Sequence, residues 1–416
     1  MLAGERDLDI VLYGATGFVG TLVARYLARV GAGIRVGLAG RSLDRLQAVR
    51  DTIGGRARKW PLIIAELNQP AALREMAART QVVLSAVGPY SRLGLPVVAA
   101  CAAVGTDYAD LTGEVPFVRE SIDRYHQLAI DNRCRIVHSC GFDSLPSDLT
   151  AYALHRRAVD DGGGNLADTT LVLRAYSGGY AGGSISTMVE LMRIAAEDPT
   201  MRRMLDDPYS LSPDRSAEPE LGTQPDLPLC EGSAIAPELK GLWLGGYIMA
   251  LYNTRCVRRS NALLGWAYGR RFRYSETITM GSSVVSPFIA AMFNMGIAGA
   301  SRFGGEYLRL LPRGLVDRVT PAPGTGHDEG PRGYYKVETY TTTTTGQRYR
   351  ATMSQQGDPG YRATAVMAGE SALALVVDRD RLTDRFGVLT PVSAMGEVLL
   401  DRLPAAGVKL ETAQLN

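Results

Sequence analysis

Between positions 9 and 138, short runs of aliphatic and β-branched residues alternate with stretches whose apolar residues recur every three or four positions. The short runs, at 10–13, 34–39, 62–65, 82–86 and 135–138, read as strands. The intervening patterns, such as 18–30 and 93–104, suit helices with one buried face. Because strands joined by helical crossovers pair in parallel, the pattern predicts an α/β fold, a Rossmann-type doubly wound parallel sheet.

The rhythm changes after Pro146. A helix pattern covers 149–158, acidic and Gly-rich 160–165 breaks it, and strand-like 169–176 is followed by a Pro-rich polar stretch at 206–237. Further strand-like runs fall at 334–345 and 349–354. The five threonines at 341–345 read as strand, since β-branched side chains suit a pleated surface. We therefore expect a nucleotide-type domain over 1–147 and an α+β substrate or dimerisation domain over 148–358.

One segment breaks both patterns: 277–301 has 25 consecutive residues without a charge, among them Val284, Val285, Phe288, Ile289, Met292, Phe293, Met295 and Ile297. A span needs about 20 predominantly apolar residues, and Ser282, Ser283, Ser286, Asn294 and several glycines dilute this one. Three readings stay open: a buried or homodimer-interface helix, a helix lying on a membrane surface, and a true span.

Charge narrows the partners. With 45 basic against 43 acidic side chains, the chain has no global field to recruit nucleic acid. Five cysteines without a CxxC pair suggest no disulfide framework and fit a reducing cytosol. The charged start of the chain lacks the pattern of a secretory signal, so we expect a cytoplasmic protein, with the inner face of the plasma membrane as an alternative site.

The sharpest local signal is Gly14-Ala15-Thr16-Gly17-Phe18-Val19-Gly20, placed where a strand ends and a helix begins. Gly14 allows the tight turn, Gly17 lets backbone amides approach a diphosphate, and Gly20 lets the helix pack closely on the strand. A helix start then receives the anion. At the end of the second strand Arg41-Ser42 stands where an NAD-selective protein would carry an acid, so a planar guanidinium and a hydroxyl are available for a 2′-phosphate, with Arg45 one turn on. The cofactor expected is NADP(H). Leu67 and Asn68 should lie by the adenine, and Ala86-Val87-Gly88-Pro89 near the ribose and nicotinamide.

Candidate chemistry is thinner. None of the four lysines follows a Tyr at the spacing that the short-chain dehydrogenase mechanism uses. No His and Cys pattern suggests a metal site, and the four histidines read as structural. Tyr90, Tyr108, Asp110 and Asp143 fall in loops expected at the active edge. Tyr90 is the leading catalytic candidate as proton donor; Asp110 is a second, with loop fixing or helix capping as its plainer role. Cys140 reads as a small packed thiol.

Taken together, residues 13–20, Ala39-Gly40-Arg41, Val87-Gly88-Pro89-Tyr90, 105–114, 140–148, 357–364 and 387–391 resemble the saccharopine dehydrogenase-like family over nearly the whole chain, and within it the mycobacterial trans-acting enoyl reductases that serve polyketide synthases making phthiocerol and phenolphthiocerol lipids. The resemblance implies an NADPH-dependent reduction of an enoyl chain, free or carrier-bound, in complex lipid biosynthesis. It also implies that 359–416 returns to the nucleotide domain. An imine or amino-acid oxidoreductase of the saccharopine dehydrogenase type is the alternative, for which Arg92, Arg174 and Arg255 would be carboxylate-binding candidates. A membrane-associated nucleotide-binding protein without catalysis is the third reading.

Overall fold

The computed structural model describes residues 6–177, 194–195, 197–303 and 333–416. Among these, Leu8–Tyr13 (β1) is buried at all six positions, as expected of a strand covered on both faces. Around it the first unit alternates α1 (Phe18–Val30), β2 (Val36–Gly40), α2 (Leu43–Ile53), β3 (Leu62–Ile64), α3 (Pro70–Ala78) and β4 (Thr80–Ser85). Then come α4 (Tyr90–Leu93), α5 (Leu95–Val104), β5 (Asp107–Asp110), α6 (Val115–Asp131) and β6 (Arg135–Val137). With β13 (Gly387–Leu389) the seven strands lie in the order β13-β6-β5-β4-β1-β2-β3, every pair parallel. This is the doubly wound arrangement predicted, with its order reversing beside β1.

Two boundaries differ from expectation. The helix pattern at 93–104 is split at Gly94, where a Cβ would stand 2.5 Å from the Phe117 ring. Residues 107–110, expected as loop, form β5, because both of its acids find buried partners: Asp107 accepts from Arg135 N at 2.7 Å and pairs with Arg379 at 2.8 Å.

The chain comes back to this unit through α11 (Thr364–Val377), β13 and α12 (Pro391–Ala405). Gly369 admits the Tyr26 ring of α1, since a Cβ there would be 2.4 Å from it. Tyr26 Oη donates to Glu370, which also accepts from Arg402 Nε of α12 at 2.8 Å.

The second unit takes the described residues from Pro146 to Pro359, together with Gly407–Asn416. It contains α7 (Leu145–Asp160, counted from its second residue), β7 (Leu166–Ser177), α8 (Pro199–Asp206), β8 (Cys230–Glu231), β9 (Trp243–Gly246) and α9 (Ala250–Leu263). It continues with β10 (Arg273–Gly281), α10 (Ser286–Phe303), β11 (Tyr334–Thr343), β12 (Arg348–Gln356) and β14 (Lys409–Leu415). The mixed sheet runs β14-β12-β11-β7-β10-β9-β8. The whole of 359–416 was expected in the first unit; its last ten residues instead give β14, which pairs with β12. The threonine run is strand through Thr343, with Thr341 Oγ1 2.7 Å from Thr169 Oγ1 on β7.

The uncharged 277–301 is not one helix. It is the end of β10, a turn after Gly281 (φ +101°), and α10. Among the described residues no helix is long and apolar enough to cross a membrane. Asn294 anchors α10, accepting from Gly246 N at 2.7 Å and donating to Leu227 O at 3.2 Å, and Ala290 is buried. Val284, Val285, Phe288, Ile289, Met292 and Met295 are exposed.

Candidate functional site

The carboxyl ends of β1, β2 and β4 are knitted by backbone alone. Gly14 N donates to Ala39 O at 3.0 Å, and Ala86 N to Tyr13 O at 2.9 Å. Gly14 has φ +84°, and a Cβ on it would stand 2.4 Å from Val87 Cγ2, so a side chain there would push the β1 and β4 loops apart. A Cβ on Gly20 would be 2.2 Å from Gly14 O, which is why the first turn of α1 lies flat on the glycine turn. The turn at Gly14 and the close packing at Gly20 are as the spacing implied, and Gly17 is the N-cap of α1.

That helix start is bare. No side chain caps it and no acid sits in its first turn. Thr21 Oγ1 points back to Ala15 O at 3.1 Å and Gly17 O at 2.9 Å, bracing Ala15, Thr16 and Gly17 from behind. Backbone amides of the first turn and the helix dipole are therefore offered to an anion, which fits a dinucleotide diphosphate.

Next to it, Arg41 is exposed and has neither hydrogen bond nor ion pair with the described residues. Ser42 is the N-cap of α2, its Oγ accepting from Arg45 N at 3.4 Å, which leaves the hydroxyl proton to donate. Arg45 reaches back to Thr16 O at 3.5 Å. Arg45 thus stands by the glycine turn, with Arg41 four residues before it and Asp44 in the first turn of α2. Asn68 is exposed beyond β3, and Tyr13 Oη ties that loop to β1 by donating to Ala65 O at 2.9 Å. Beyond β4, Ala86, Val87 and Pro89 are half-buried and Gly88 is exposed, with a cis Gly88–Pro89 peptide.

Tyr90 and Asp110 are placed differently from the catalytic expectation. The Tyr90 hydroxyl is buried, donating to Ser85 O at 3.0 Å and accepting from Leu111 N at 3.2 Å. Burial first, and the Asp110 charge second, hold its pKa well above the ordinary tyrosine value, and its proton is already directed to Ser85 O. Asp110 is fully buried: Oδ1 accepts from Thr112 N at 3.1 Å and Ser139 N at 3.0 Å, and Oδ2 lies 2.7 Å from His138 Nδ1. Its loop-fixing role is the one the geometry supports.

Sequence reasoning missed two residues in this layer, Ser121 and Glu114, while His138 has the structural role it was expected to have. His138 Nε2 is 2.8 Å from Ser121 Oγ, so Ser121, His138 and Asp110 form a chain, but all three are buried and it serves as a brace. Glu114 receives Tyr90 N and Ser91 N, both at 2.7 Å. The spacing in 105–114 marked the loop without revealing these partners. Cys140 is buried, with Sγ 3.8 Å from Val137 O, in keeping with a packed thiol.

Against this geometry, residues 10–137 match the family described as saccharopine dehydrogenase NADP binding domain. A trans-acting enoyl reductase of Mycobacterium tuberculosis (strain ATCC 25618 / H37Rv) is 56% identical, and one of Mycobacterium ulcerans (strain Agy99) 54%, each over 100% of both chains. The chain belongs to the trans-acting enoyl reductase family. A second M. tuberculosis protein, provisionally named a trans-acting enoyl reductase, is 60% identical over 100% of both chains. Of solved structures, saccharopine dehydrogenase (L-Glu forming) from Saccharomyces cerevisiae covers 98% of this chain and 100% of its own at TM-score 0.56 and 15% identity, a likeness of fold. As a family member with this nucleotide domain, the protein is an NADP-dependent oxidoreductase.

Proposed function

We propose that the protein reduces the double bond of an enoyl thioester with NADPH, acting in trans on a chain carried by a polyketide-type synthase in complex lipid biosynthesis. The observation carrying this reading is likeness at 54–60% identity along both whole chains to proteins named for that activity. NADPH would supply the hydride to the β-carbon, with a proton reaching the α-carbon.

Gly14, Ala15, Thr16, Gly17, Phe18, Val19 and Gly20 would hold the diphosphate through backbone amides. Arg41 and Ser42 would hold the 2′-phosphate, and Asn68 the adenine. Ala86, Val87, Gly88 and Pro89 would border the nicotinamide, with Tyr90 and Asp110 supporting that border from behind. The amino-acid reading loses two of its three carboxylate-binding candidates: Arg174 pairs with Glu338 at 2.9 Å and Arg255 with Asp226 at 2.6 Å.

The exposed apolar face of α10 supports a peripheral membrane contact, because Phe288, Ile289, Met292 and Met295 give one helix an uncharged apolar row, with Val284 and Val285 exposed in the turn before it. A homodimer through the same face is the competing occupant.

The deciding experiment is purified protein with NADPH and enoyl thioesters of several chain lengths, free and carrier-bound. Oxidation of NADPH with formation of the saturated thioester is the expected result. No turnover of any of them, with NADPH binding intact, removes the substrate class.

A further inference from the structure

The loop that would border the nicotinamide is held by more than its own strand, to which Tyr90 Oη bonds at Ser85 O. Tyr90 and Ser91 open α4, directly after Val87-Gly88-Pro89, and both of their amides are bonded by one side chain 23 to 24 residues further on. That side chain is Glu114, 2% exposed, whose two carboxylate oxygens each take one amide at 2.7 Å. It acts as an N-cap supplied from the neighbouring loop. The same loop takes the Tyr90 hydroxyl through Leu111 N. It is itself fixed by Thr112 Oγ1, which accepts from Glu114 N at 3.2 Å, and by Asp110, which reaches on to Ser139 N.

We propose that Glu114 is a positioning residue for hydride transfer: it sets the height of the 86–89 loop through the Tyr90 and Ser91 amides. This rests on the enoyl reductase reading. Two successive amides are met by two separate oxygens at one site, and a carboxylate presents both as acceptors. A glutamine of the same shape would turn an N–H towards one of the two amides, breaking one bond and leaving a buried donor unpaired. The carboxylate bonds of Glu114 go to Tyr90 and Ser91 and not to the diphosphate cradle at Gly14–Gly20, so its loss is expected to weaken hydride transfer more than cofactor affinity.

The test compares wild type with Glu114→Gln, using Glu114→Asp, which keeps the charge but shortens the reach, as the second variant if Gln does not fold. In either variant, amide exchange at Tyr90 and Ser91 with NADPH bound is expected to quicken at least tenfold, while the NADPH Kd moves less than about threefold. The kcat is expected to fall roughly 10- to 100-fold, the scale of a small misplacement of reacting groups. The isotope effect with 4-deuterated NADPH should rise, because hydride transfer has become slower than the other steps.

Unchanged exchange and an unchanged isotope effect would overturn the proposal. So would a kcat that falls only in proportion to the folded fraction. Should wild type turn over no enoyl thioester, the functional reading fails, and the exchange measurement alone decides the role of Glu114: protection unchanged in the variant refutes it.

Discussion

The carbonyl oxygen of Gly14 occupies the space that any side chain at position 20 would need, with 2.2 Å between that oxygen and a Cβ on Gly20. The two glycines are one device, the first making the turn and the second letting α1 lie on it.

Gly20→Ala should therefore push α1 off the turn. We expect a loss of about 1–3 kcal/mol of stability, the usual cost of overpacking, and a more than tenfold weaker NADPH affinity. Denaturant titration and calorimetry measure the two. Wild-type affinity in this variant would mean that α1 does not hold the diphosphate.

Tyr90→Phe separates a support from a proton donor. Removing the hydroxyl leaves Leu111 N without its partner, at a cost of about 1–3 kcal/mol. The kcat should stay within about tenfold of wild type, whereas loss of a general acid costs roughly 10²–10⁴. A drop of that larger size in folded protein would restore Tyr90 to the chemistry.

How much of this the residues announced depends on where their partners lie. β1, the glycine turn and α1 are contiguous, and their contacts are set by spacing alone, so they were legible. So was the place of Arg41, an exposed cation just past β2, since no distant partner is needed to put it there. β5 was not, since Asp107 and Asp110 read as loop residues until Arg135, His138, Ser139 and Arg379 come to meet them from 28 to 272 positions away. Glu114 and Ser121 looked like ordinary residues around a helix start for the same reason. The 277–301 stretch misled because hydropathy does not register that Gly281 turns the chain between β10 and α10.

Glu276 predicts a pH dependence of stability. It is fully buried, accepting from Tyr274 Oη at 2.9 Å and Asn253 Nδ2 at 3.0 Å, and burial pushes its carboxyl from 4.5 up to about 7. Between those values the folded chain binds the extra proton, so this contribution is complete below about pH 4.5 and is lost as pH rises towards about 7. The loss amounts to about 3 kcal/mol. In Glu276→Gln that slope should be absent, so the stability difference between wild type and variant should change with pH across pH 5 to 8, read by denaturant midpoints. An identical slope in both would place the titration elsewhere.

The α10 face makes a separate prediction. Phe288→Glu combined with Met292→Glu should abolish flotation on anionic vesicles and leave NADPH binding unchanged. Wild-type protein that never floats, but halves its mass in light scattering when these two are changed, would assign the face to a dimer instead.

The central claim is that the bare start of α1 holds a diphosphate while Arg41 selects the phosphorylated ribose. Calorimetry of wild type and Arg41→Asp with NADPH and NADH tests it most directly. Losing a guanidinium–phosphate pair worth about 1.5–3 kcal/mol, we expect NADPH affinity to fall roughly 10- to 150-fold and NADH affinity to hold or rise. An unchanged preference between the two coenzymes would contradict the account.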